Sequence, residues 1–103
     1  MEKPKFTQFR VSEALKERVR ALPTSMSKSV RKAIKAAEQQ PELLAQAFRY
    51  RLYSNENEDD QATTLSLYID HDLHDSLRQL AKSTRLSEQD VARLCFEAHV
   101  YKL

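Results

Sequence analysis

The sequence contains KFTQFRVSEALKERVRAL at residues 5–22 and, 58 residues later, the related stretch TTLSLYIDHDLHDSLRQL at residues 63–80. The two stretches are related through their apolar positions, which recur at this constant offset. These positions are Phe9, Val11, Leu15, Val19 and Leu22 in the first stretch and Leu67, Ile69, Leu73, Leu77 and Leu80 in the second. A chain of 103 residues therefore carries one apolar pattern twice.

Each copy begins with the alternating pattern of a half-buried strand. One face of each strand is predicted to be buried, formed by Thr7, Phe9 and Val11 in the first copy and by Leu65, Leu67 and Ile69 in the second. The opposite face holds Phe6, Gln8 and Arg10 in the first copy and Thr64, Ser66 and Tyr68 in the second. Ser12 and Asp70 follow the strands as predicted helix caps, and the apolar spacing then becomes helical.

A second helix follows the first in each copy. Pro23 ends the first helix because proline disfavours a helical conformation in the residue before it, and a new helix is expected after residues 24–27. In the second copy Ser87 and Asp90 form the pattern of a capping box at the start of a helix. Each copy therefore predicts a strand followed by two helices.

The two copies are joined by a segment with its own pattern. Pro41 suits the first position of a helix, and helical apolar spacing predicts that helix over residues 41–53. The acidic run SNENEDDQ that follows is predicted to be a solvated linker. We therefore divide the chain into a first repeat at 1–40, a connecting helix and linker at 41–63, and a second repeat at 64–103.

The two copies are expected to share one core, because a separate core of about 50 residues would be marginally stable. Two paired strands with four helices beneath their apolar face would bury both apolar patterns. We predict a mainly α fold with one short two-stranded antiparallel ribbon. The strands are expected to pair within one chain, which gives a monomer.

The composition excludes several classes of protein. The chain has no glycine, which excludes phosphate loops and dinucleotide fingerprints. Cys95 is the only cysteine and lies on an apolar helix stripe, so no intrachain disulfide or cysteine-rich zinc site is possible. The start MEKPKF lacks the apolar region of a signal peptide, and no apolar run approaches the roughly 20 residues of a membrane span. We expect a cytoplasmic protein without a membrane partner.

No residues suggest catalysis or a cofactor. His71 and His74 lie near Asp70, Asp72 and Asp75, but exposed residues in a first helical turn explain this cluster more simply than a metal site does. No nucleophile has an evident base and orienting acid. We expect no metal, no cofactor and no enzymatic activity.

The net charge of +2 conceals a gradient along the chain. Residues 1–38 carry a net +6, residues 39–63 carry −3, and residues 64–103 carry −1. A basic first third favours a partner with dense negative charge, above all nucleic acid, although a solvated basic helix face would have the same composition.

The repeated pattern resembles the ribbon-helix-helix family of DNA-binding proteins, to which the Arc and methionine repressors belong. The resemblance rests on FRVSEALKERVRAL and LYIDHDLHDSLRQLAKSTRLSEQDVARL and covers residues of about 6–38 and 64–102. Most family members carry one copy and pair as homodimers, whereas a minority carry two in tandem, as this sequence does. The usual glycine of the inter-helix loop is missing from both copies, and Arg85 stands near its place in the second.

The resemblance implies that the two repeats form a pseudo-dimer whose two-stranded ribbon enters the major groove of DNA. The implied base-reading residues are Phe6, Gln8, Arg10, Thr64, Ser66 and Tyr68. The implied phosphate contacts are Ser27, Lys28, Ser29 and Ser87, at the starts of the second helices. Phe6 has an alternative placement as a core residue at the end of the ribbon.

The expected function is sequence-specific binding of double-stranded DNA, as a bacterial, plasmid or phage transcriptional repressor associated with the nucleoid. An accessory protein of a relaxosome or partition system is an alternative, favoured by the tandem form. An antitoxin-like protein-interaction module is an alternative of a different class. Self-association on DNA, a protein partner, and the role of helix 41–53 stay open.

Overall fold

The computed structural model describes residues 5–53 and 63–102. The strands are β1 at Lys5–Val11 and β2 at Thr63–Ile69. The helices are α1 at Glu13–Arg20, α2 at Met26–Gln39, α3 at Glu42–Tyr53, α4 at His71–Thr84 and α5 at Glu88–Val100. The predicted mainly helical fold with one two-stranded antiparallel sheet is confirmed. The acidic run predicted to be a linker lies outside the described residues.

The two strands pair antiparallel within the chain. Lys5 lies opposite Ile69 and Val11 lies opposite Thr63, so the pairing runs the full length of both strands. Phe9 and Leu65 face each other in this register, and both are buried. The period of two in each strand is thus confirmed, with the predicted apolar face turned toward the helices.

Side chains cap the helices where the sequence predicts. The Leu15 backbone N–H donates to Ser12 Oγ at 3.1 Å, and the Leu73 N–H donates to Asp70 Oδ1 at 2.8 Å. Because these oxygens satisfy amides that have no partner within the helix, each chain segment can turn from strand to helix without an intervening loop. The predicted helix over 41–53 is confirmed as α3, with Pro41 immediately before its first residue.

The two inter-helix loops differ. The C-cap residue of α1, Ala21, has a right-handed backbone conformation, and α2 begins after its N-cap Ser25. The C-cap residue of α4, Arg85, instead has φ 61° and ψ 29°, the left-handed conformation that usually favours glycine. The Leu86 N–H then donates to the Ala81 carbonyl at 3.2 Å. Arginine therefore adopts at this position a conformation that glycine would reach at lower cost.

Helix α5 is the centre of the molecule. It packs against β1 and all four other helices, and residues 91–98 are all buried. The Phe9 and Phe96 rings meet edge to face, with centroids 5.7 Å apart. A helix buried on every side is expected to be apolar all round. α5 nevertheless includes buried Arg93 and Glu97, whose Nε and Oε1 atoms lie 3.7 Å apart.

Ionic contacts join α2 to the start of α4. Lys35 Nζ lies 3.2 Å from Asp72 Oδ2 and donates to Ser76 Oγ at 3.1 Å, and Arg31 bonds the Asp70 carboxylate. The hydrogen bond to Asp72 raises the pKa of Lys35 above its usual 10.5. These contacts hold the two halves of the chain together beside the ribbon. In the described part of the chain, none of the helices is long and apolar enough to cross a membrane.

Candidate nucleic-acid interface

The face of the ribbon that points away from the helices carries all six predicted base-reading side chains. The register places Phe6 opposite Tyr68, Gln8 opposite Ser66, and Arg10 opposite Thr64. Thr64 is half-buried and the other five are exposed. The structure therefore brings the six residues together as three cross-strand pairs, which we call the outer face.

An aromatic pair occupies one end of the outer face. Phe6 is 53% exposed and Tyr68 is 63% exposed, with their ring centroids 5.3 Å apart in an edge-on arrangement. The alternative placement of Phe6 in the core is therefore wrong. Exposed aromatic rings on a strand offer a partner apolar surface, which suits contact with a thymine methyl group.

Polar groups fill the rest of the outer face. Gln8 Nε2 donates to Ser66 Oγ at 3.4 Å, a long bond between exposed side chains that a stronger partner could displace. The Arg10 side chain adds a guanidinium with five fixed donors. The outer face can therefore supply cationic, amide, hydroxyl and apolar contacts along one line of the ribbon.

A groove beside the end of β2 is lined on the strand side by Tyr68 and Ile69. The start of α2 contributes Ser27, Lys28 and Arg31 to its lining, and its volume is about 320 Å³. Ser27 and Lys28 are exposed, and the first turn of α2 contains no acidic residue. Asp70 also lines the groove, but its carboxylate is paired with Arg31, so Lys28 and the partial positive charge at the start of α2 are the groups that an anion would meet.

Ser29, the third residue predicted at the start of α2, faces the interior. It is 2% exposed, and its hydroxyl shares a hydrogen bond of 2.6 Å with Thr24 Oγ1. Its helical position points it toward the core one residue after exposed Lys28. The Ser29 hydroxyl thus supports the α1–α2 loop and does not line the groove.

The start of α5 differs from that of α2. Ser87 caps the helix by accepting from the Asp90 N–H at 3.1 Å, as predicted. Glu88 and Asp90 place two carboxylates in the first turn, and Glu88 Oε1 lies 3.2 Å from His74 Nε2. These carboxylates stabilise their own helix, but they would oppose a phosphate. The two helix starts beside the ribbon are therefore electrostatically unequal.

Sequence reasoning missed one contact at the edge of the ribbon. The Arg10 backbone N–H donates to Gln89 Oε1 at 2.8 Å, and Gln89 Nε2 donates back to the Arg10 carbonyl. The two residues are 79 positions apart. No local pattern signals such a contact, since an exposed glutamine in a first helical turn is common.

Two residues of α5 have shifted pKa values. Burial raises the pKa of the Cys95 thiol to about 12 and, with the charge of Lys32, lowers the pKa of His99. Among the described residues, no three His, Cys, Asp or Glu side chains are grouped so that they could hold a metal ion. Compared with known proteins, the chain matches no family model, no curated protein and no solved structure.

Proposed function

We propose that this chain is a sequence-specific double-stranded DNA-binding protein that inserts the β1–β2 ribbon into the major groove. One observation carries the proposal: the three cross-strand pairs of the outer face are polar or aromatic and all but half-buried Thr64 are exposed, while Phe9, Leu65 and Leu67 between them are buried. The major groove admits a two-stranded ribbon and displays donors, acceptors and methyl groups that differ between base pairs. The cationic, amide, hydroxyl and aromatic groups of the outer face can contact these donors, acceptors and methyl groups.

The two repeats act as a pseudo-dimer in which one chain supplies both strands that a homodimer would supply. The antiparallel pairing of β1 with β2 and the two helices after each strand support this arrangement. Light scattering at low micromolar concentration should then give a mass near the chain's 12.0 kDa. A dimer whose dissociation unfolds the chain would refute the pseudo-dimer.

The two strands read DNA unequally. Arg10 can bond guanine through two hydrogen bonds, and Gln8 can bond adenine in the same way, whereas Ser66 and Thr64 are weaker readers. A homodimer presents one strand twice and so favours palindromic sites. Here Gln8 lies beside Ser66 and Arg10 beside Thr64, so the preferred site lacks two-fold symmetry.

Phosphate contacts come mainly from the α2 side. Ser27 and Lys28 line the groove beside β2, and no carboxylate lies in the first turn of α2. Ser87 can contribute less, because its hydroxyl caps α5 and acidic residues surround it. The DNA backbone is therefore held more strongly at one side of the ribbon.

The proposal is tested by selecting bound sequences from a random duplex pool and measuring affinity for the selected site and a scrambled site. Arg10→Ala should lose about 1–3 kcal/mol of specific binding and relax preference at one base position, and Ser66→Ala should lose less. Lys28→Ala should weaken both duplexes equally and make the salt slope shallower by about one. Lys82→Ala is a matched control, because Lys82 is exposed near the end of α4.

Two results would contradict the proposal. Wild-type affinity for Arg10→Ala alongside a loss for Ser66→Ala would show that β1 is not the main reader. Absence of binding to any duplex at low salt would instead favour the antitoxin-like interaction module. If binding is specific, occurrence of the selected sequence in a natural promoter supports a repressor. Its occurrence in a transfer origin or partition site supports an accessory protein of those systems.

A further inference from the structure

Gln89 holds the part of β1 from which Arg10 projects. In an antiparallel pair, alternate residues turn their N–H and C=O groups away from the partner strand. Arg10 is such a residue, because Gln89 bonds both groups. The Gln89 side-chain amide therefore takes the place of a third strand at this position, while the neighbouring residues Phe9 and Val11 pair with β2 at the other edge of β1.

The position of Gln89 is itself well fixed. It is the second residue of α5, between Glu88 and Asp90. Ser87 caps this turn through the Asp90 N–H, and residues 91–98 that follow are buried in the core. The Gln89 amide thus connects the Arg10 backbone to the most buried helix of the fold, and not to a loop that could move with the strand.

The other half of the chain cannot make the same contact. The caps Ser25 and Ser87 align the second helices at an offset of 62, which makes Ser27 the counterpart of Gln89, and the strand offset of 58 makes Tyr68 the counterpart of Arg10. Ser27 and Tyr68 line one groove. A serine side chain is shorter than that of glutamine and carries one hydroxyl oxygen in place of a separate amide donor and acceptor. A two-way contact of this kind is therefore available only to the strand that carries arginine.

We infer that Gln89 is a specificity-determining residue that acts by positioning Arg10. The inference rests on the proposed DNA-reading function. A bidentate contact with guanine requires the guanidinium to reach the base edge in a fixed position and orientation. The position of the Arg10 backbone sets both. Without the Gln89 amide, β1 keeps its pairing with β2 but loses the support at its outer edge. Arg10 then reaches the base edge from a wider range of positions.

The expected result concerns discrimination and not overall affinity. Gln89→Ala should reduce the ratio of selected-site to scrambled-site affinity about five- to tenfold, which is part of the discrimination that one bidentate arginine–guanine contact supplies. Affinity for the scrambled duplex and its salt slope should not change, because Gln89 carries no charge. Gln89→Met, which keeps the length and helical preference of the side chain but not its amide, should behave in the same way.

A double-mutant cycle with Arg10→Ala separates positioning from a general structural role. If Gln89 acts through the Arg10 side chain, adding Gln89→Ala to Arg10→Ala should cause no further loss of discrimination. Gln79→Ala is a matched control on the exposed surface of α4 and should leave discrimination unchanged. Circular dichroism of each variant checks that the fold is retained.

The outcomes distinguish this inference from the proposed function. If wild-type protein discriminates between duplexes and Arg10→Ala does not, but both Gln89 variants discriminate fully, only the role of Gln89 is refuted. Losses that multiply in the double variant also refute it, because Gln89 would then act independently of Arg10. If the wild type does not discriminate at all, the proposed function fails and the role of Gln89 fails with it.

Discussion

Replacing Phe9 tests the register of the ribbon, on which the whole outer face depends. Phe9 is 3% exposed, lies opposite buried Leu65 and meets the Phe96 ring edge to face. Truncating a buried phenylalanine to alanine costs about 3–5 kcal/mol, since the removed ring leaves a cavity that neighbours fill only in part. For a domain of this size, a loss of about 3 kcal/mol lowers the melting temperature by about 12 °C or more.

The neighbouring residue supplies the control. Gln8→Ala should change the free energy of unfolding by no more than about 0.5 kcal/mol, because its side chain is exposed and its bond to Ser66 is long. Urea titration followed by circular dichroism measures both variants. Because a loss of 3–5 kcal/mol could unfold a marginal domain, Phe9→Leu serves as a milder variant and should fall between the two.

Equal destabilisation by Phe9→Ala and Gln8→Ala would refute the reasoning. A shift of the register by one residue exchanges the two faces of a strand. Phe9 would then point outward, Gln8 and Arg10 would point to the helices, and neither polar residue could reach a base. The stability measurement therefore tests the geometry of the outer face without any assumption about DNA.

Three further predictions concern single positions. Arg85→Gly should raise stability by about 0.5–1 kcal/mol in urea titration, because glycine avoids the cost of the left-handed conformation, whereas Ala21→Gly should bring no gain at its right-handed site. Because the pKa of Cys95 is raised, the unfolded thiol ionises before the folded one, and the wild type should lose stability as pH rises from about 9 toward about 12. In a pH series of melting curves, Cys95→Ala should not show the stability loss that comes from this thiol. Arg93→Met should lower the free energy of unfolding by about 3 kcal/mol or more in the wild type, because the buried Glu97 carboxylate then lacks this cation. In a Glu97→Leu background the carboxylate is gone, so the same substitution should cost clearly less. Equal costs in a thermal double-mutant cycle would contradict this.

The predictions that held depend on local sequence. Alternation along β1 and β2 fixes which residues face the core, because side chains on a strand point to opposite faces in turn. Short oxygen-bearing side chains at Ser12, Asp70 and Ser87 mark helix starts, because a nearby amide needs an acceptor. Each of these signals spans only a few residues, so the sequence alone displays it.

The features that were missed depend on tertiary packing. Ser29 looked like an exposed helix-start hydroxyl, but it lies on the buried face of α2 and bonds Thr24. Arg93 and Glu97 have the spacing of an ordinary surface ion pair, and only the burial of α5 on all sides makes them a buried pair. Gln89 contacts a residue 79 positions away. The sequence could supply the residues of the outer face but not the contacts that hold them in place.

The contact between Gln89 and Arg10 also shows what a tandem chain allows. In a symmetric dimer, any residue that holds a reading strand occurs twice and must serve two identical strands. Once both copies lie in one chain, each can change alone: Gln89 in the second copy supports Arg10 in the first, while its counterpart Ser27 lies exposed beside the groove at β2. If the chain binds DNA as proposed, this asymmetry divides the work: β1 and the start of α2 carry the stronger base-reading and phosphate-binding side chains. The second half adds Thr64, Ser66 and Tyr68 as weaker readers, together with the central helix α5. A protein built in this way would be expected to recognise a site in a single orientation, because the two ends of its ribbon no longer have the same chemistry.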